Sequence, residues 1–262
     1  MSDVLLVDHS DAVATLTLNR PDSMNSLSVE LKETLLAALH DVSADSSVRA
    51  VVLTGTGRGF CVGQDLREHV ALLEANDPAP LSTVEEHYNP IVLALAGMPK
   101  PVIAAVNGMA AGAGAGLTFA CDFRIAANTA GFLLAFANVG LTLDSGASWT
   151  LPRIIGLARA TALALLAEPI NAEAALEMGL VNAVVEPERV LPAAQELAAR
   201  LAAGPTAAYA AIKQSFAFAA TSSLADALAK EGELQRALGH TEDHRNATIA
   251  FVNKQKPTFV GR

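Results

Sequence analysis

Two stretches of the chain offer backbone, not side chains, as their chemical groups. "GFCVGQDL" (Gly59 to Leu66) and "NGMAAGAGAGL" (Asn107 to Leu117) each follow an apolar run and pass into a helical pattern. The first N–H groups of a helix lack intrahelical acceptors, and small residues leave them open to a ligand. Two such groups converging on one point make an oxyanion hole, in which each donor is worth about 2.7–4 kcal/mol in a transition state. By residue type alone, plain close packing of a Gly/Ala helix accounts for either stretch as well. Asp144 in "LDSGAS" stands at a fair helix start, where it reads as a turn residue or the cap.

Other chemistries lack their residues. "GTGRGF" and "GAGAGL" are glycine-rich, yet neither has the G-x-G-x-x-G spacing of a dinucleotide site, and no P-loop sequence occurs. His240 and His244 in "HTEDH" stand four apart without a third ligand nearby, so a solvated helix start is expected and no metal. Ser145 and Ser148 adjoin Asp144, but there is no G-x-S-x-G elbow. Cys61 and Cys121 lie in apolar runs and read as buried free thiols. The net charge of -9 argues against nucleic acid as a partner. No window supplies about 18 strongly apolar residues in a row. "MSDVLLVDHS" has no basic region before a cleavage site, so a cytoplasmic protein without a membrane segment is expected.

The elements that must position these groups are legible in outline. "VATLTLN" (Val13 to Asn19) alternates at period two and predicts a strand with one polar face. Leu31, Leu35, Leu36, Leu39 and Val42 have helical spacing, predicting a helix over 28–42. "AVVLTG", "PVIAAVNG" and "DFRIAA" predict buried strands, and "LVNAVV" one more. Segment 72–90, with mixed charge and no period, predicts a mobile loop or a loosely held helix. Asn171 before "AEAALEMG" is an N-cap signal, with glycine as the stop. Four helical patterns fill the last third. Strands alternating with helices, then helices alone, predict an α/β core with a helical tail.

Five motifs then carry a resemblance: "LNRPDSMNSLS", "GRGFCVGQDL", "KPVIAAVNGMAAGAGAGLTFACDFRIA", "GLTLDSGASWTLPRIIG" and "INAEAALEMGLVNAVV". In this order they resemble the enoyl-CoA hydratase/isomerase (crotonase) superfamily, and in detail its phenylacetate-pathway ring-epoxide isomerase branch. The resemblance implies a spiral of ββα repeats over residues 1–200 holding an acyl-CoA site. It implies a helical region over 201–262 that packs on the core and on neighbouring subunits, giving a trimer or a dimer of trimers. No cofactor is implied beyond the coenzyme A of the thioester substrate.

By position in the motifs, the oxyanion-hole donors resemble the N–H groups of Gln64 and Ala113, and Asp144 matches a catalytic carboxylate. Substrate contacts carried over in the same way are Ser23, Met24, Cys61, Gly63, Asp65, Leu66, Ala111, Gly112 and Phe136. Arg67 stands where a basic residue near the CoA phosphates is often found. Phe251 and Lys254 in "FVNKQKP" match residues that reach the adenine and phosphate end of CoA from a neighbouring subunit. Where the family's hydratases carry two glutamates, this chain has Gly116 and Phe136. With Asp144 as the remaining carboxylate, the resemblance implies an isomerase that shuttles a proton through a thioester enolate. The alternatives are a hydratase recruiting Glu68, Glu74, Glu85 or Glu86, and an acyl-CoA-binding protein without catalysis.

Overall fold

The computed structural model describes residues 4–262. The chain opens with the antiparallel hairpin β1 (Leu5–Ser10) and β2 (Val13–Leu18), turned at Asp11 in the left-handed region (φ 51°). Helix α1 (Val29–Ala44) follows, its N-cap Ser28 accepting from the Leu31 N–H at 3.3 Å. Leu31, Leu35 and Leu39, on one helical face, are fully buried.

Three passes of similar form come next. The first comprises β3 (Ala50–Gly55), β4 (Gly59–Cys61), α2 (Leu66–Glu74) and α3 (Asn89–Ala96). The second comprises β5 (Val102–Val106), β6 (Met109–Ala111) and α4 (Ala113–Ala120). In the third, β7 (Phe123–Ala127) and β8 (Gly131–Leu133) lead through a short 3-10 turn to α5 (Ala147–Ile155) and α6 (Leu157–Leu166). The remainder is β9 (Ile170–Asn171), α7 (Ala172–Glu177), β10 (Ala183–Val185), α8 (Val190–Ala202), α9 (Thr206–Ala219), α10 (Leu224–Leu238) and α11 (Glu242–Val252).

Each pass puts its first strand in one sheet and its second in another. The larger sheet has the order β1-β2-β3-β5-β7-β10, the smaller β4-β6-β8-β9. Apart from the β1–β2 and β8–β9 pairs, neighbouring strands are parallel. The chain thus advances one strand per pass in both sheets at once, the spiral of ββα repeats that the motifs imply. Helix α8 lies on the large sheet against β2, β3, β5 and β7. It does so through Val190, Ala194, Ala198 and Ala202, a small-residue stripe at four-residue spacing that brings the helix close to the strands. Asn171 caps α7, accepting from the Ala174 N–H at 2.9 Å, and Gly179 takes the left-handed stop (φ 78°).

The structure departs from the sequence reading in two expectations and adds strands that the sequence does not show. β2 has no polar face: paired on both sides and covered by α8, it buries even Thr15, whose Oγ1 accepts from Gln195 at 3.4 Å. The small sheet and β1 carried no readable period, because strands of two or three residues are too short for one and β1 is mostly exposed. Segment 72–90 is not one loop: it includes the end of α2 and a π-type turn at Val84–Tyr88, and it anchors itself through the fully buried Tyr88. Among the described residues, no helix is long and apolar enough to cross a membrane.

Candidate active site

β4, β6 and β8 run side by side in parallel, so their C-terminal ends open at one edge of the small sheet. Open α/β sheets place ligands outside the carboxyl ends of their strands. Here β4 delivers Gly63 and Gln64, β6 delivers Gly112 and Ala113, and β8 leads to Ala135, Phe136 and then Asp144. A cavity of about 1270 Å³ opens between them. Its lining includes Arg20, Gly63, Gln64, Tyr88, Ala113, Phe136, Val139, Leu141 and Asp144.

The glycine–alanine alternation has a separate reason at each glycine. Gly112 turns the chain from β6 into α4 with φ 52° and ψ -126°, a conformation closed to residues with a Cβ. Gly114 lets α4 approach β4, since a Cβ there would stand 2.2 Å from the Cys61 carbonyl oxygen. Gly116 accommodates the turn bearing Asp144: a Cβ would lie 2.6 Å from Ser145 Cβ and 2.8 Å from its carbonyl oxygen. The far end of α4 is held by the buried Arg124, which donates to the Thr118 carbonyl at 3.1 Å and the Cys121 carbonyl at 2.6 Å. The helix N-terminus is therefore fixed in position relative to both neighbouring strands.

Two amides at this edge lack acceptors. Gln64 makes an isolated bridge with Leu27 through the Gly63 carbonyl and the Asp65 N–H, leaving its own N–H out of the ladder. Ala113 is the first residue of α4, without an intrahelical acceptor. Among the described residues neither N–H donates to the protein. The two stretches abut: a Cβ on Gly63 (φ 88°) would stand 3.3 Å from the Ala113 nitrogen and 3.0 Å from the Ala111 carbonyl oxygen. A pair of open N–H groups at one cavity can hold a carbonyl oxygen and stabilise the negative charge that develops on it.

Asp144 lines the same cavity, partly buried, and accepts from the Ser145 hydroxyl at 2.7 Å. Burial raises its pKa, and the Ser145 bond offsets only part of that rise. Asp144 does not cap α5; Gly146 (φ 71°) occupies the N-cap position, which leaves the carboxylate free of that structural duty. The left-handed Ser145 and Gly146 (φ 50° and 71°) swing the backbone so that the aspartate faces the cavity instead of the helix.

Of the other carboxylates on the cavity, Asp22 is exposed, whereas Asp65 and Glu68 are engaged. Asp65 caps α2, pairs with Arg20 at 2.8 Å and accepts from Ser26 at 3.1 Å. Burial would raise the Asp65 pKa, but the Arg20 and Ser26 bonds prevail and hold it below the usual range. Glu68 lines the cavity and accepts from the Val29 N–H at 3.0 Å. Glu74, Glu85 and Glu86 are outside the lining.

Of the residues singled out by motif, Ser23, Gly63, Gln64, Asp65, Leu66, Arg67, Gly112, Ala113, Phe136 and Asp144 come together on the cavity. Met24, Cys61 and Ala111 stand behind its wall: the Met24 carbonyl takes the Val62 N–H at 3.2 Å, and Cys61 is fully buried, its thiol pushed up to about 12 by burial. Phe251 and Lys254 lie on the surface at the end of α11, outside the lining of this chain's cavity. Sequence reasoning missed Tyr88, His69 and Arg20. Arg20 carried a signal in "NRPDSMN", since a cation before a tight turn is well placed to fix a nearby carboxylate. Tyr88 and His69 stand in stretches without a period.

The contact at Gly116 yields a first prediction. Gly116→Ala should lower stability by about 1–3 kcal/mol, because the added methyl meets Ser145 Cβ and the Ser145 carbonyl oxygen, neither of which is the far end of a flexible side chain. Thermal melting measures it, and an unchanged midpoint would show that the Asp144 turn does not rest on α4.

An α/β spiral that ends adjacent strands at two open amides and a carboxylate defines a class of enzyme that handles a carbonyl compound. The family model for enoyl-CoA hydratase/isomerase matches residues 8–262. The chain is 44% identical over 264 aligned residues to 1,2-epoxyphenylacetyl-CoA isomerase of Escherichia coli, covering all of both chains. It is 38% identical to trans-2-decenoyl-[acyl-carrier-protein] isomerase of Streptococcus mutans over 98% of each. A crystal structure of enoyl-CoA hydratase from Bacillus anthracis superposes with a TM-score of 0.91 at 32% identity, covering 99% of this chain and 100% of that one. The protein belongs to the enoyl-CoA hydratase/isomerase family and has its crotonase fold.

Proposed function

We propose that the protein is an isomerase acting on acyl-CoA thioesters, with Asp144 as the single acid/base. The thioester carbonyl oxygen accepts from the Gln64 and Ala113 N–H groups, which acidifies the acyl carbons conjugated with it. Asp144 takes a proton from one carbon, and the C–H electron pair moves into the thioester as an enolate. The same carboxyl then returns the proton to a different carbon, so the double bond shifts with no net gain or loss of atoms.

The observation that carries this reading is the site's carboxylate inventory. Asp144 is partly buried and makes no ion pair among the described residues, while Asp65 is bound to Arg20. At the positions of the hydratase glutamates, Gly116 has no room for a side chain and Phe136 is a buried apolar wall. Similarity to an epoxyphenylacetyl-CoA isomerase and a decenoyl-thioester isomerase agrees with this reading. Proton NMR in D2O with 2-enoyl- and 3-enoyl-CoA thioesters tests it. Double-bond migration or carbon-bound exchange without a 3-hydroxy product supports the isomerase. Rapid formation of 3-hydroxyacyl-CoA would instead call for a second acid/base, for which Glu68, on the cavity with one carboxylate oxygen bound to the Val29 N–H, is the candidate.

The reading includes an oligomer built through residues 201–262. Phe216, Leu224, Phe251 and Val252 are 75%, 77%, 83% and 74% exposed on the C-terminal helices. Such large apolar side chains on one region are suited to a subunit interface. Sedimentation should report a trimer or a pair of trimers, and Phe216→Glu should shift it toward the monomer. A monomeric wild type would refute this assembly and with it a CoA contact from a neighbour's Phe251 and Lys254.

A further inference from the structure

The Leu27–Gln64 bridge is a lone residue pair outside the strands of both sheets, and it carries one of the two open amides. Its backbone bonds run from the Leu27 N–H to the Gly63 carbonyl at 2.7 Å and from the Asp65 N–H to the Leu27 carbonyl at 3.3 Å. These two bonds set the direction of the Gln64 N–H, and a lone pair has no ladder beyond it to hold its register. On the Leu27 side the chain is a loop, turned through Met24 and Asn25 in the left-handed region (φ 49° and 57°).

Arg20 supplies the support that the bridge lacks. Its Nη1 donates to the Ser26 carbonyl and, at 3.1 Å, to the Ser26 hydroxyl, while its Nη2 pairs with Asp65 Oδ2 at 2.8 Å. Ser26 precedes Leu27 and Asp65 follows Gln64, so one guanidinium clamps a neighbour of each bridge partner. The Ser26 hydroxyl closes the ring by donating to the same Asp65 oxygen at 3.1 Å. Asn25 fixes the clamp to β4: its Oδ1 accepts from the Arg20 N–H at 2.8 Å, and its amide donates to the Gly59 and Phe60 carbonyls at 2.9 and 3.1 Å. A planar guanidinium makes such directed bonds to two groups at once, whereas an ammonium acts as a point charge. An ion pair withdrawn from water is weak evidence for stability, and this one stands beside an amide whose direction matters. A catalytic donor must be held to within about 10–20° of its productive direction.

We propose that Arg20 is a positioning residue for the reaction: acting through Ser26 and Asp65, it keeps the Gln64 N–H aimed at the thioester oxygen. The inference rests on the reading of Gln64 and Ala113 as the oxyanion hole.

The test is isotope-edited infrared spectroscopy of hexanoyl-CoA, labelled at the thioester carbonyl, bound to the full-length protein; this saturated thioester has no double bond to move. Hydrogen bonds to the oxygen weaken the C=O bond and lower its stretching frequency. The wild type should lower it, and Arg20→Met should return it part of the way to the free value. In the same variant kcat for double-bond migration should fall by up to about 10²-fold, the scale of one donor, with affinity for hexanoyl-CoA changed much less. Arg20→Lys, which keeps the charge without the fork, should restore little of either. Should Arg20→Met not fold, Ser26→Ala decides, since it removes one bond of the clamp and should raise the frequency less far. A band in Arg20→Met that matches the wild type would overturn the inference whatever happens to kcat, and weakened affinity beside it would make Arg20 a direct contact of the CoA phosphates. A wild type that does not shift the band sinks the oxyanion-hole reading, and the role of the clamp with it. A band that responds to Arg20 in a protein without migration activity leaves the clamp standing and sinks only the isomerase.

Discussion

Asp144→Asn should abolish carbon-proton exchange and double-bond migration while leaving the fold at least as stable as the wild type. A general acid/base contributes about 10²–10⁴-fold, and no other carboxylate on the cavity is both uncommitted and half-buried. Asparagine retains the oxygen that accepts from the Ser145 hydroxyl, so the turn at Ser145 and Gly146 persists and the loss falls on chemistry.

The stability half of this prediction follows from burial. Burial raises the Asp144 pKa in the folded state, so over the window from the ordinary aspartate value, about 4, up to the raised one the native state holds the extra proton. Stability therefore falls as pH rises through that window, and at neutral pH the buried charge is a cost that asparagine removes. Chemical denaturation should give equal stability for the two proteins in acid and an advantage for Asp144→Asn at neutral pH. The pH profile of wild-type kcat/KM should rise with ionisation of the carboxylate, with a midpoint above that of an ordinary aspartate. A variant retaining full exchange activity would refute the mechanism.

Gly63→Ala should lower kcat/KM by about 10²–10³-fold, the scale of one oxyanion-hole donor. The position has φ 88°, which alanine adopts only with strain, and the new methyl would stand 3.3 Å from the Ala113 nitrogen and 3.0 Å from the Ala111 carbonyl oxygen. The substitution therefore crowds the Ala113 donor and tilts the peptide that carries the Gln64 N–H. Single-turnover kinetics should locate the loss in the chemical step, with affinity for a saturated acyl-CoA changed much less. Equal losses in binding and turnover would mean that the methyl blocks entry to the cavity, and that the open amides are not the source of rate.

Local sequence determined a good part of this protein. Residues 50–55 read as a strand because a short apolar run closed by glycines has few other uses, and β3 occupies that span. The same holds for α1, whose leucines keep helical spacing, and for Asn171 before α7, where capping chemistry acts within a few residues. The motifs carried the family and the positions of Gln64, Ala113 and Asp144, since an amide at a strand end needs only small neighbours to be open.

What the tertiary structure decided depends on contacts between distant segments. The reason for Gly116 lies in Ser145, 29 residues further on, which fills the space of any side chain at that position. Asp144 reads locally as a helix cap, and the left-handed turn after it makes Gly146 the cap instead. Tyr88 sits in a segment without periodicity, and its complete burial is set by what the fold packs on it, the Lys32 ammonium of α1 standing 5.4 Å from its ring centroid. β2 was misread on one face because alternation reports residue type, while burial of Thr15 was set by α8 arriving from the far end of the chain. Backbone geometry within a turn is encoded locally, whereas the charge and packing environment of a side chain belongs to whatever the fold brings against it.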